Sequence, residues 1–286
     1  MTDHFTTRFA PSPTGFLHLG HAYSALKAWD AARAVNGRFV LRIEDIDRTR
    51  ARPAFEAAIH EDLAWLGLKW ESPVRRQSDH MDDYHAALED LQTRGLIYRC
   101  FRTRSEIAAE ITSAPHGPQA HVFTGAPLHA TEEDERLASG RPFAWRLSLE
   151  RAREALGDAF DRLIFEEQGA GPDGQTGEVS AQPQRAGDIV LARKDVGVAY
   201  HLAVVVDDAL QGISHVIRGN ALFEAAHIQR LLQALLGLPT PVYRHHRLLM
   251  GADGKRLAKR NDAPALRDLR LAGQTPEALR HMLANG

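Results

Sequence analysis

Residues Arg8–His21 read RFAPSPTGFLHLGH, and the order of residue types in this stretch predicts a strand, a loop and a helix in succession. Phe5–Phe9 is a short extended run, and Ala10–Gly15 is punctuated by Pro and Gly. The apolar spacing of Leu19, Ala22, Tyr23 and Leu26 then marks an amphipathic helix. His18 and His21 stand at the start of that helix with Gly20 between them. Free backbone N–H groups and a partial positive charge make a helix start attractive to phosphate. Glycine lets a flat nucleotide approach backbone, and imidazoles add donors that can follow charge developing on phosphate. A bare HxGH could as well cap or pack; the loop before it points to nucleotide chemistry.

Outward from this stretch, short strands alternate with longer helices up to about Gly95. Asn36-Gly37 is a turn signal, Arg38–Ile43 alternates like a strand, and Pro53 opens a helix with Phe55, Ile59, Leu63 and Leu66 on one side. Asp82–Thr93 reads as a further helix. Strands separated by helices imply a parallel, doubly wound sheet. Between Tyr98 and Gly187 the rhythm breaks, because Ser113–Pro127, Glu132–Arg136 and Gly169–Pro183 read as loops of an inserted subdomain. Its ordered parts are expected at Ser105–Ile111 (helix) and Phe143–Leu149 (strand). From Asp188 the rhythm returns. Asp188–Ala192 and Leu202–Val206 read as central strands, Ser214–Ile217 as another, Ala221–Leu236 as a helix and Pro241–His245 as the last strand.

A hydrophobic content of 44%, a charged content of 25% and a net charge of −2 describe an ordinary globular protein, not one coated in basic residues for bulk nucleic-acid binding. Nothing in the chain is apolar for long enough to cross a bilayer, and the start MTDHFTTRF carries no signal-peptide core, so a cytoplasmic protein is expected. The single cysteine, Cys100, excludes a disulfide framework and a multi-cysteine zinc cluster. His116, His121 and His129 do not give it metal-ligand spacing.

A second informative stretch is Gly251–Asn261, GADGKRLAKRN. Its Gly-Asp-Gly turn followed by Lys255, Arg256, Lys259 and Arg260 puts cations on a loop able to close over a triphosphate. Arg48, Arg50 and Arg52 form one basic patch, and Arg244, His245, His246 and Arg247 extend the other. Glu44, Asp45 and Asp47 follow the strand Arg38–Ile43, at the strand end where α/β ligands bind. Glu44 is the candidate for a substrate ammonium, while Asp45 and Asp47 read as exposed residues of a helix first turn. Arg8 and Arg218 stand at strand ends, where a guanidinium can hold a carboxylate through two parallel bonds. Tyr200 either lines the same pocket or packs.

Together these elements closely resemble the class I aminoacyl-tRNA synthetases of the glutamyl group. RFAPSPTGFLHLGH matches their HIGH-type opening, RIEDIDRTR (42–50) the segment after the second strand, and VAYHLAVVVDD (198–208) and HVIRGN (215–220) the later core; GKRLAKR (254–260) stands at the KMSKS-type loop. The resemblance implies an α/β fold, a Rossmann-like doubly wound parallel sheet, at 1–97 and 187–286. It implies an inserted α+β subdomain at 98–186. It further implies ATP and Mg²⁺, with Arg8, Ala10, Ser12, Glu44, Tyr200 and Arg218 matching a glutamate pocket. His18, Gly20, His21 and Lys259 match the ATP signatures, and His18, His21 and Lys259 are the catalytic candidates. Arg8 would hold the side-chain carboxylate and Glu44 the α-ammonium.

Only 27 residues follow Lys259, too few for an anticodon-binding domain. That shape resembles the truncated branch of the group, which implies activation of L-glutamate without tRNA, then transfer to queuosine in the anticodon loop of tRNA(Asp) by a monomer. Two departures stand out. Arg256 and Ala258 replace the usual Lys and Ser of the signature loop. Members that bind zinc use a CxC pair plus a later Tyr and Cys, whereas here Arg102 stands opposite Cys100 and HVFTGAP (121–127) has no Cys, so zinc is expected to be absent. Three alternatives stay open: a synthetase charging a tRNA 3′ end, discriminating or not; a small HxGH nucleotidyltransferase; or a non-catalytic tRNA-binding paralogue.

Overall fold

The computed structural model describes residues 5–103, 105–108, 122–193, 197–249 and 264–285. Among these, β1 (Thr6–Phe9) leads through the 10–18 loop into helix α1 (Leu19–Ala34), followed by β2 (Arg38–Ile43), α2 (Pro53–Trp65) and β3 (Glu71–Arg76). Helix α3 (Met81–Thr93) precedes β4 (Ile97–Cys100), α4 (Ala130–Ala138), β5 (Ala144–Leu147) and α5 (Leu149–Leu156). Then come β6 (Ile164–Glu167), β7 (Gly177–Ser180), β8 (Val190–Arg193), β9 (Gly197–Val198) and α6 (Tyr200–Leu210). The chain closes with β10 (His215–Gly219), α7 (Phe223–Leu236), β11 (Val242–His246), α8 (Leu266–Leu271) and α9 (Pro276–Asn285).

Seven strands form one sheet in the order β3-β2-β1-β10-β11-β6-β7, parallel throughout except for the β6–β7 hairpin. The order reverses between β1 and β10, which creates a crevice at their carboxyl ends. The expected α/β doubly wound core is therefore present, and helix α1 covers it through Leu19, Ala22, Tyr23, Ala25 and Leu26, all buried against Phe9, Phe39, Leu41 and Ile43. The same core takes in Leu266, Leu279 and Leu283 from α8 and α9.

A second, four-stranded sheet runs β4-β5-β8-β9 and is antiparallel. Its composition corrects several expectations. Asp188–Ala192 contributes to this small sheet, not to the centre of the parallel one. Leu202–Val206 is not a strand at all but the middle of α6. Every residue from Leu202 to Asp208 is buried, so the helix is enclosed on all sides there, and the unbroken apolar run Leu202–Val206 carries no period to distinguish it from a buried strand. The boundaries at 98 and 186 likewise miss the sheets: β6 and β7 extend the large sheet beyond β11, whereas β8 and β9 belong to the small one. Glu132–Arg136 lies in α4, a helix with no buried residue and hence no apolar stripe. The Gly169–Pro183 stretch contains β7. Of the expected helix Ser105–Ile111, residues 105–108 are helical and the rest lie outside the described residues.

Candidate active site

A cleft of about 530 Å³ opens at the reversal of strand order, between the carboxyl ends of β1 and β10. Arg8, Ala10, Ser12, His18, Gly20, His21, Glu44, Tyr200 and Arg218 all line it. Every site residue expected from the sequence thus lines this one cleft, except Lys259, which lies outside the described residues together with the rest of 250–263. The chain on either side of that segment is on the rim. Arg247, Leu248 and Leu249 line the cleft, and Ala265 pairs with His18 in an isolated β-bridge, with the Leu266 N–H donating to the Leu17 carbonyl at 2.7 Å.

The two signature histidines close the start of α1 on each other. The Gly20 N–H donates to His18 Nδ1 at 3.1 Å, and the His18 N–H donates to His21 Nδ1 at 3.2 Å. This is a reciprocal capping box built from imidazoles. Because both Nδ1 lone pairs are engaged as acceptors, the proton of each neutral ring sits on Nε2. The cap therefore sets the tautomer, with a donor at the far edge of each ring. The rings lie 3.8 Å apart between centroids, which keeps both at the same end of the cleft.

Arg8 is held from behind. Its Nε and Nη2 donate to the two carboxylate oxygens of Asp208 at 3.1 and 3.4 Å. Asp208 also accepts from Arg42 Nη1 at 2.7 Å, and Arg42 Nη2 donates to Glu44 at 3.1 Å. Asp207 accepts from Arg75, Gln77 and Tyr84 at 2.6–2.8 Å. Arg8, Arg42 and Arg75 thus face Glu44, Asp207 and Asp208, and the charges balance inside the protein. Burial works against the charge of Arg42, yet Asp208, Glu44 and Asp207 hold its guanidinium above the usual arginine value. For Asp208 burial likewise acts upward, but Arg8 and Arg42 keep the carboxyl below the ordinary range. At Glu44 burial prevails and raises the carboxyl against the pull of Arg42 and Arg8. A cation arriving at Glu44 would relieve that cost.

Arg218 is equally well seated. Its Nε donates to His245 Nε2, its Nη1 to Gln229 and its Nη2 to the Leu222 carbonyl, each at 3.0 Å. Sequence reasoning misplaced two groups here. His245, expected in a basic surface patch, is 2% exposed, and Asp45, expected at the surface, is 8% exposed and accepts from Ser78 N and Oγ at 2.8 and 2.6 Å. It also missed Arg42, Asp207 and Asp208; the acidic pair ending the apolar run of α6 was the available signal.

A second cavity of about 620 Å³ adjoins the first, shares Ser12, Thr14, Glu44 and Tyr200 with it, and reaches the small sheet at Arg146, Asp188 and Arg193. Gln77 Oε1, Arg146 Nε and His201 Nδ1, three buried polar atoms on its lining residues, have no partner. Among the described residues no group of three His, Cys, Asp or Glu could hold a metal. Cys100 is buried with Tyr98, Ile107 and Phe123; His116 and His121 lie outside the described residues.

Burial pushes the His201 imidazole down to about 4, and burial also lowers His215, His227, His245 and His246. The folded chain therefore binds fewer protons than the unfolded one below the ordinary histidine value of 6.5. This stability is complete above that pH and is lost as pH falls below it. Glu44 and Asp62, raised by burial, act in the opposite sense but are two against five. Thermal unfolding at pH 5.0 is expected roughly 5 °C or more below that at pH 7.5; an unchanged midpoint in calorimetry would contradict the buried, neutral state of these rings.

The description "tRNA synthetases class I (E and Q), catalytic domain" matches residues 4–285. The chain belongs to this family. It is 47% identical to a glutamyl-Q tRNA(Asp) synthetase of Rhodobacter capsulatus, covering 97% of this chain and 99% of that protein. A protein of the same name from Symbiobacterium thermophilum is 42% identical, with 95% and 83% covered. Among solved structures, a glutamate-tRNA synthetase from Elizabethkingia anophelis superposes with a TM-score of 0.74 at 28% identity, covering 90% of this chain and 53% of that one. Family membership accounts for the α/β core. Among the described residues no helix is long and apolar enough to cross a membrane.

Proposed function

We propose that the chain activates L-glutamate with ATP, without tRNA, and transfers it to queuosine in the anticodon loop of tRNA(Asp). The observation that carries this reading is the convergence of the Arg8, Glu44 and Arg218 side chains with the His18–His21 cap in one cleft. The names of the relatives at 42–47% identity add the acceptor. In the first step the glutamate α-carboxylate attacks the α-phosphorus of ATP and pyrophosphate leaves, giving glutamyl-adenylate. Arg8 takes the side-chain carboxylate, Glu44 the α-ammonium, and Ala10, Ser12, Tyr200 and Arg218 complete the pocket. His18 and His21 donate from Nε2 to phosphate oxygens, Gly20 leaves room for the nucleotide, and Lys259 adds a cation to the departing pyrophosphate. No enzyme nucleophile is needed, so the rate rests on alignment and charge stabilisation. Mg²⁺ would arrive with the ATP phosphates.

In the second step a hydroxyl of the queuosine cyclopentene ring attacks the carbonyl of the adenylate, and AMP leaves. The second cavity opens beside Tyr200 and Glu44 and carries Arg50, Arg146 and Arg193 on its walls, a lining suited to a nucleoside and its phosphates. Glutamate-dependent ATP–pyrophosphate exchange without tRNA is the first test. Glutamylation of queuosine-containing tRNA(Asp), lost after periodate oxidation of the ring diol and absent with queuosine-free tRNA(Asp), is the second. Charging of a tRNA 3′ end regardless of queuosine would overturn the acceptor assignment.

A further inference from the structure

His245 and Glu167 face one another inside the large sheet, away from solvent, and the cleft does not include them. In the register of the sheet His245 is the partner of Arg218 across β10–β11, and Tyr243, two residues before His245, is the partner of Glu167 across β11–β6. Both side chains are fully buried. Glu167 Oε1 accepts from the backbone N–H of His245 and of Gly169, each at 2.8 Å, and Oε2 lies 2.5 Å from His245 Nδ1. The two backbone donors pin the carboxylate. A Cβ at position 169 would come within 2.0 Å of the His245 carbonyl oxygen, so the loop that supplies one of them requires glycine. The imidazole is fixed by Tyr243, parallel to it at 5.9 Å, and by Phe223, edge-on at 5.3 Å.

The bonding leaves one tautomer. Arg218 Nε is always a donor, so His245 Nε2 must accept, and the ring proton therefore sits on Nδ1, where Glu167 accepts it. We propose that Glu167 and His245 are positioning residues for glutamate binding: the carboxylate sets the imidazole tautomer, and the imidazole sets the plane of the Arg218 guanidinium. With Gln229 and the Leu222 carbonyl taking one hydrogen each, two of the five guanidinium hydrogens, one on each terminal nitrogen, remain for a substrate carboxylate. Burial keeps His245 below the ordinary histidine value despite its bond to Glu167, so the ring stays neutral and its acceptor nitrogen stays available. The inference rests on the glutamate pocket proposed above and adds to it two residues from strands outside the signatures.

Three variants separate the bonds. In Glu167→Gln the amide oxygen can still accept both backbone N–H groups, but the NH₂ then donates to Nδ1, drives the ring proton to Nε2 and sets donor against donor at Arg218. In His245→Asn the amide stands in for Nδ1 and Arg218 loses its acceptor; in His245→Gln the amide oxygen stands in for Nε2 and restores it. E167Q and H245N are expected to raise the glutamate KM in pyrophosphate exchange about tenfold, with the ATP KM unchanged, and H245Q to recover most of that loss. A merely structural pair would give equal effects in H245N and H245Q, or none in E167Q, and either result overturns the proposal. Long-range ¹H–¹⁵N correlation spectra of histidine-labelled protein give a readout independent of activity. A proton on His245 Nδ1 in the parent chain and on Nε2 in E167Q is expected; Nε2 protonation in the parent sinks the inference. Should the parent chain show no glutamate-dependent exchange, the proposed activity fails, while the spectra still decide the tautomer.

Discussion

Asp208→Asn is expected to raise the glutamate KM more than tenfold and to cost about 3–5 kcal/mol of folding stability. One carboxylate serves two buried guanidinium groups here, Arg8 through both of its oxygens and Arg42 through one. Asparagine keeps the shape but removes the charge, and its NH₂ confronts Arg8 or Arg42 with a second donor. The balance among Arg8, Arg42, Arg75, Glu44, Asp207 and Asp208 is then broken by one unit in a region with little access to water. The stability loss is read from urea unfolding and the binding loss from exchange kinetics at varied glutamate. As a control, Asp90→Asn, an exposed partner of Arg94 on α3, should change either quantity little, because surface pairs contribute about 0–1 kcal/mol. Equal behaviour of the two variants would show that the buried clamp does not orient Arg8.

His18→Asn should lower kcat for pyrophosphate exchange about 10²- to 10³-fold while leaving stability within about 1 kcal/mol. Asparagine is a good N-cap, so the Gly20 N–H keeps an acceptor. What it lacks is the Nε2–H at the far edge of the imidazole. His18→Ala removes both functions and should lose stability as well as rate. The comparison divides the histidine into a structural half at Nδ1 and a chemical half at Nε2. A small rate effect in the asparagine variant, with unfolding curves unchanged, would reduce His18 to a cap.

How far the chain could be read in advance depended on how local each signal was. The 8–21 stretch was legible because Pro, Gly and a 3.6-residue apolar period succeed one another within a few residues, and β1 and α1 fall where those signals put them. Arg38–Ile43 matches β2 for the same reason. The residues that match the glutamate and ATP signatures were legible through resemblance, and those that are described line one cleft. By contrast, Leu202–Val206 misled because total burial erases periodicity. His245 misled because its neighbours Arg244 and Arg247 are exposed whereas strand alternation turns it inward. The clamp behind Arg8 could not be seen at all, since Asp208 lies 200 residues away in sequence and only the fold brings it near.

The pairing of Ala265 with His18 bears on Lys259, the cation proposed for the nucleotide reaction. Lys259 is five residues from Pro264, and an extended chain spans at most about 3.6 Å per residue. Whatever path those residues take, the ammonium stays within roughly 30 Å of His18, side chain included. Such confinement is equivalent to a local concentration in the millimolar range, so in the proposed role the lysine would meet an incoming triphosphate as a resident of the same small volume and not as a visitor from afar.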